Sequence, residues 1–150
     1  MKLARILRKE FFITLFIKQN NWHKHSVLGH TMKLVYYAIK NKKFNMITAG
    51  ILHDIGKPII AFQDEKDETT GEYSFHNHEE ISYVIVKNWP ISEFSKKLVR
   101  YHYLIRGMKK AKEKNQMGKY NRMKRSYESL DANFVHELKI FLKFDDLAKK

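Results

Sequence analysis

Apolar residues recur at intervals of three and four along most of this 150-residue chain. That spacing places them on one face of an α-helix, whereas a half-buried strand would need strict alternation. Only two prolines and six glycines are present to interrupt the pattern. Chains of this length normally form one domain around one hydrophobic core. The sequence therefore predicts a single compact all-α domain over residues 1–150, with about six to seven helices.

The individual helices can be placed from their apolar faces and their breaks. An amphipathic first helix is expected within residues 1–17, with an apolar stripe of the kind that more often packs on a domain than on a membrane. Further helices are expected at 26–40, 45–54, 78–88, 92–103 and 131–149. The polar stretch 63–77 is predicted to be a mobile loop near the site entrance. Residues 106–125, rich in lysine and arginine and interrupted by Gly107 and Gly118, are predicted to be an exposed basic insertion.

His53 and Asp54 are adjacent at the end of a predicted buried helix. Burying an imidazole and a carboxylate is costly unless a partner satisfies them, and a divalent cation can do so. Other side chains of these two types lie on other predicted helices, namely His30, His78, His102 and Asp145. Because the chain has no cysteine, any metal would have only nitrogen and oxygen ligands, which suit Mn, Fe, Co, Ni or Zn and, with water, Mg.

This ordered set resembles the HD-domain metal-dependent phosphohydrolases over residues 22–148. In that family a histidine on one helix precedes a His-Asp doublet, an aspartate follows on a late helix, and two-metal members add two histidines between. The resemblance implies one ion bound by His30, His53, Asp54 and Asp145, and a second ion bound by Asp54, His78 and His102. It also implies hydrolysis of a phosphate ester by metal-activated water, with the bridging Asp54 as a catalytic residue.

Two ligand positions have a neighbouring competitor. His76 competes with His78, but the His78-Glu79 pair is similar to a His-Glu pair of the family and favours His78. Asp146 competes with Asp145, but helical spacing from Leu138, Phe141 and Leu142 turns Asp145 inward and Asp146 aside.

The formal charge of +13 indicates an anionic partner such as a nucleotide, a nucleic acid or a phosphorylated metabolite. Lys57 is assigned a catalytic role, because a lysine after the doublet contacts a phosphate oxygen or the leaving group in some two-metal relatives; a solvent-facing lysine is the competing interpretation. The substrate-binding candidates are His25, Arg100, Arg106, Lys109 and Lys110. For the last three, a solvated run of surface charge is an equally good interpretation.

The substrate is predicted to be a nucleotide, a cyclic nucleotide or a nucleic-acid end. Pro58 and segment 75–79 look most similar to the HD domains of tRNA nucleotidyltransferases, which are associated with phosphatase and 2′,3′-cyclic phosphodiesterase activities. A nucleic-acid-binding module using 106–125, with Tyr120 or Tyr127 stacking on bases, is the alternative function.

A membrane-surface regulator that uses residues 1–17 ranks third among the functions. No run approaches the roughly 18 apolar residues that a membrane-spanning helix needs. No cleavage pattern follows the first segment, so the cytoplasm is the expected compartment and no stable membrane association is expected. Sequence does not specify the oligomeric state.

Overall fold

The computed structural model of this protein describes residues 16, 25–61, 68 and 75–150. The predicted helix at 1–17 and most of the predicted loop at 63–77 lie outside the described residues. In the described part the chain forms one 3₁₀-helix, Phe44–Met46, and the α-helices α1 (Val27–Lys40), α2 (Ile47–Leu52), α3 (Lys57–Ile60), α4 (His78–Val86), α5 (Glu93–Tyr101), α6 (Leu104–Glu113), α7 (Met117–Glu128) and α8 (Ala132–Leu147). Six of these helices have nine or more residues, and no strand occurs among the described residues. The predicted all-α fold is confirmed.

Side-chain caps begin the helices that carry the first and last predicted ligands. Ser26 Oγ accepts a hydrogen bond from Gly29 N at 3.2 Å at the start of α1. Asp131 Oδ1 accepts one from Phe134 N at 2.7 Å at the start of α8. Each cap satisfies a backbone N–H that has no partner within the helix and typically contributes about 1 kcal/mol.

The hydrophobic core lies where α1, α2, α5 and α8 pack together. Its fully buried members include Leu34, Met46, Leu98, Leu138 and Phe141. Full burial of one such side chain contributes roughly 1.5–3 kcal/mol, so these contacts determine the relative positions of the four helices. Five ligand candidates, His30, His53, Asp54, His102 and Asp145, lie on or next to the same helices, whereas His78 begins α4.

The His-Asp doublet lies in a turn, not within a helix that runs to residue 54. The predicted helix at 45–54 begins as the 3₁₀-helix and continues as α2, which ends at Leu52. Residues 53–56 form the turn that leads into α3. The turn packs against α4, and Gly56 N donates to Ser82 Oγ at 2.9 Å.

The basic segment forms a helical hairpin of α6 and α7, joined by a turn in which Asn115 has a φ of 54°. The prediction that Gly107 and Gly118 interrupt this segment was wrong, because Gly107 lies within α6 and Gly118 within α7. Gly107 is buried where a Cβ would contact the Met123 side chain, so its small size permits close packing of the two helices. No residue of α7 is buried, but Gly107 and Ala111 of α6 are, so the predicted exposure of residues 106–125 does not hold for the α6 part.

Candidate metal centre

Four predicted ligands converge from α1, the doublet turn and α8. His30 Nε2 donates to Asp145 Oδ1 at 2.8 Å and lies 3.8 Å from Asp54 Oδ2. His53 Nε2 lies 3.2 Å from Asp54 Oδ2, 3.7 Å from Asp145 Oδ1 and 3.3 Å from His30 Nε2. All four side chains are buried. His30, His53 and Asp54 thus form a group that could hold one metal ion, and Asp145 Oδ1 contacts the two histidines of this group.

The charges of the carboxylates control the protonation of His53. Burial by itself would lower the pKa of His53, but Asp54 and Asp145 outweigh burial and raise this pKa to about 9. Burial favours the neutral form of Asp54, but the positive charges of His53 and Lys57 hold the pKa of Asp54 well below its usual range. Without a metal, a proton on His53 therefore supplies positive charge to this group.

The second oxygen of Asp54 faces a different pair of imidazoles. Asp54 Oδ1 lies 3.3 Å from His78 Nε2 at the start of α4 and 3.8 Å from His102 Nε2 just after α5. The two Nε2 atoms are 3.1 Å apart. Asp54 therefore belongs to both groups of possible metal ligands, with one oxygen directed to each.

The orientation of the His78 and His102 rings shows whether a cation fits between them. His78 Nδ1 donates to Phe75 O at 3.1 Å, and His102 Nδ1 donates to Val99 O at 2.7 Å. Since a carbonyl only accepts, both Nδ1 atoms carry protons, and in the neutral rings both Nε2 atoms carry lone pairs. Burial, with the charge of Lys57, lowers the pKa of His78 to about 4, and burial lowers that of His102 well below its ordinary value. Two buried lone pairs that face each other repel unless a cation lies between them, so the donor set fits a metal ion.

Asp145 is held by cations on its other side. Arg106 donates to Asp145 Oδ2 at 2.6 Å and to Asp146 Oδ1 at 2.5 Å. Lys149 Nζ lies 3.2 Å from Asp145 Oδ2. These contacts leave Oδ1 of Asp145 directed at His30 and His53. Asp145 is buried, whereas the side chain of its competitor Asp146 is 57% exposed and pairs with Arg106 and Lys149.

The HD domain family matches residues 27–140, which is more than half of the chain. The chain belongs to the HD domain family. No curated protein and no solved structure matches it. The resemblance to the HD domains of tRNA nucleotidyltransferases is not supported by these comparisons, so the family match alone does not select a substrate.

Lys57 of this HD domain lies beside the doublet. Its Nζ donates to Asp54 Oδ2 at 2.6 Å and lies 5.6 Å from the centre of the Phe75 ring. The lysine is buried at the first position of α3, so its charge is desolvated and directed at the ligand groups. Its predicted solvent-facing alternative is therefore wrong. Contact with a phosphate stays a prediction.

The candidate metal centre opens into a cleft of about 860 Å³. Of the predicted catalytic and substrate residues, Asp54, Lys57, Arg106 and Lys110 line this cleft. His25, Arg100 and Lys109 are not among its lining residues as the structure places them. Arg100 instead pairs with Glu80 at 3.4 Å and lies over the Tyr83 ring.

Several residues that sequence reasoning missed support the centre. Ser82 is fully buried and holds the doublet turn through Gly56 N. Its position one helical turn after His78 could have indicated an inward polar side chain. Lys149 lies four residues after Asp145, and the same spacing could have indicated that its side chain contacts Asp145. By contrast, no local sequence pattern indicates that Lys114 and Lys119 lie near the metal centre, although both line the cleft together with Lys110.

No helix in the described ranges is both long and apolar enough to cross a membrane.

Proposed function

We propose that this chain is a metal-dependent phosphohydrolase that binds two divalent cations and hydrolyses a phosphate ester of a nucleotide, a cyclic nucleotide or a nucleic-acid end. The observation that carries the proposal is the placement of Asp54, with one carboxylate oxygen directed at His30 and His53 and the other at His78 and His102. A carboxylate with both oxygens committed in this way is suited to bridging two cations.

The spacing of the donor atoms supports metal binding. Ligands that lie about 2.0–2.2 Å from one ion are themselves separated by roughly 3 Å or more. The contacts of 3.1 Å between His78 and His102 and 3.3 Å between His30 and His53 are of this size. Bound divalent cations would lower the pKa of a coordinated water and polarise the phosphoryl group.

The protein's own residues then have distinct roles in the proposed reaction. The Nδ1–H groups of His53, His78 and His102 donate to backbone carbonyls, which orients each Nε2 towards the centre. Lys57 presents a buried ammonium to the cleft, where it can neutralise a phosphate oxygen or the departing oxygen. In the hydrolysis, the oxygen of water bonds to phosphorus, one ester P–O bond breaks, and a proton goes to the departing ester oxygen.

The test is metal analysis followed by activity screening. Purified protein is assayed for bound metals and then with nucleotides, 2′,3′-cyclic nucleotides, cyclic dinucleotides and p-nitrophenyl phosphoesters, with added Mn²⁺ or Mg²⁺. Asp54→Asn removes the bridging charge, whereas Glu128→Gln removes an exposed carboxylate on α7 outside the cleft. We expect Asp54→Asn alone to abolish turnover. Turnover by Asp54→Asn at the rate of the unsubstituted chain would contradict the proposal.

The basic hairpin favours a second candidate function, nucleic-acid binding without hydrolysis. Residues 106–125 carry many lysines and arginines, and no residue of α7 is buried. If this were the function, binding of single strands would weaken steeply with salt and would be indifferent to Asp54→Asn.

A further inference from the structure

The cleft at the candidate metal centre continues along the basic hairpin. One part of its lining consists of the ligand candidates Asp54, His78, His102 and Asp145, and another part contains three lysines, Lys110, Lys114 and Lys119. The hairpin that suggested a separate nucleic-acid-binding function therefore shares a continuous surface with the proposed catalytic site.

The three lysines differ from the other cations of the cleft in their partners. Arg106 and Lys149 are paired with Asp145 and Asp146, and Lys57 is hydrogen-bonded to Asp54. Lys110, Lys114 and Lys119 form no ion pair with any residue in the described ranges. We define these three as the cleft lysines. Glu113 and Glu79 line the same cleft and interact electrostatically with Lys110 and Lys119, but neither forms an ion pair with them, so the ammonium groups can contact a ligand.

Lys110 and Lys114 extend away from Asp145 along α6, whereas Lys119 lies on α7. Arg106, Lys110 and Lys114 are four residues apart and lie on one face of α6 and its C-terminal cap. At a rise of about 1.5 Å per residue, Lys110 lies about 6 Å and Lys114 about 12 Å beyond Arg106 along the helix axis. Arg106 itself contacts Asp145. A single phosphate held at the ligand residues would not extend along this row.

Lys110 lies close to other positively charged side chains. Partial burial, together with the charges of Arg106, Lys149 and Lys114, lowers the pKa of Lys110. Lys110 Nζ lies 6.0 Å from the centre of the Tyr103 ring, which lines the same cleft. Placing anionic groups beside these lysines would relieve their mutual repulsion.

We infer that the cleft lysines bind the phosphates that follow the scissile ester, so that the substrate is the end of a single nucleic-acid strand and not a nucleoside monophosphate. This inference rests on the proposed phosphohydrolase function and specifies its substrate class. The α6–α7 hairpin then forms the second half of one substrate site. Backbone phosphates repeat along a strand, as Lys110 and Lys114 repeat along α6 and its C-terminal cap. A nucleoside monophosphate offers no phosphate beyond the reacting one.

The test compares two substrates with the same scissile bond. One is thymidine 5′-(p-nitrophenyl phosphate), and the other is trithymidylate carrying the same 5′ ester. We expect kcat/KM to be about tenfold or more higher for the trinucleotide at 50 mM salt, and this preference to shrink at 200 mM salt.

Two triple variants separate the cleft lysines from charge in general. One combines Lys110→Gln, Lys114→Gln and Lys119→Gln. The control combines Lys87→Gln, Lys112→Gln and Lys124→Gln, which removes the same charge from exposed positions outside the cleft. The preference for the trinucleotide should fall to near onefold in the cleft variant and persist in the control. Equal preference in the two triple variants, or no preference in the unsubstituted chain, would overturn the inference.

A binding measurement distinguishes this inference from the proposed function. If neither these two substrates nor any compound of the wider screen is cleaved with any added metal, the hydrolase proposal fails. Fluorescence anisotropy of fluorescein-labelled trithymidylate then decides the role of the cleft lysines alone. Binding that only the cleft variant loses would support strand recognition by the cleft, and equal binding by both triple variants would refute it.

Discussion

Replacing Gly56 by alanine should separate the doublet turn from α4. A Cβ at this position would lie 2.8 Å from Ser82 N and 2.9 Å from His78 O. Both are backbone atoms, so no rotation of a side chain can relieve the contact. Since ordinary contacts begin near 3.4 Å, α4 must recede by about half an ångström.

The expected cost follows from this displacement. Overpacking of a well-packed contact costs about 1–3 kcal/mol. The hydrogen bond from Gly56 N to Ser82 Oγ, 2.9 Å long, would be stretched and adds up to about 1 kcal/mol. Because His78 begins α4, its separation of 3.3 Å from Asp54 would also lengthen. We therefore expect a less stable protein that also binds the second of the two proposed metal ions more weakly.

Urea unfolding of the metal-free protein, followed by circular dichroism, measures the stability change. Calorimetric titration with Mn²⁺ measures the metal affinity. Gly118→Ala is the matched control, because a Cβ there meets nothing within 4 Å and the residue lies in a helix. The control should gain no more than about 1 kcal/mol, because Gly118 lies in the first turn of α7, and should keep its metal binding. If Gly56→Ala were as stable as the unsubstituted chain and bound two ions equally well, the proposed packing would be wrong.

Three further predictions concern the charges of the centre. In metal-free protein, Asp54→Asn should lower the free energy of unfolding by about 3–5 kcal/mol, because it leaves the buried Lys57 without a counter-charge. Adding Lys57→Met to this variant should recover more than 1 kcal/mol, measured by urea unfolding. If the effects of the two single substitutions simply added in the double variant, this prediction would be wrong. Adding Mn²⁺ at about 100 times its Kd should raise Tm by about 5–10 °C per site in scanning calorimetry, and EDTA should reverse the rise; a Tm indifferent to both would count against metal binding. Arg106→Met should weaken Mn²⁺ binding about tenfold in calorimetric titration because Asp145 loses a positioning contact, while Arg100→Met, outside the cleft, should not; equal effects would refute that role for Arg106.

The sequence was sufficient to predict much of the centre because helical periodicity is a local property. Spacing from Leu138 and Phe141 placed Asp145 on the buried face of α8, and the structure places it there with both of those residues buried. The same reasoning placed His30 on the inward face of α1, one helical turn before Leu34, and the structure shows that both residues are buried. Periodicity thus identifies which face of a helix is buried.

Periodicity does not identify which distant residues meet. Arg106 reaches Asp145 across 39 positions, and the Ser82–Gly56 hydrogen bond spans 26. Such contacts depend on the relative placement of whole helices, which is set by packing of the entire core. The glycines of the basic segment show the same limit, because Gly107 permits close helix packing where composition predicted an interruption.

Anomalous X-ray diffraction from crystals grown with Mn²⁺ tests the central claim most directly. Two peaks should appear about 3.5–4 Å apart, one between His30, His53 and Asp145 and the other beside His78 and His102, with Asp54 between the peaks. Absence of manganese from both positions, with the imidazoles turned away from one another, would contradict the two-metal centre.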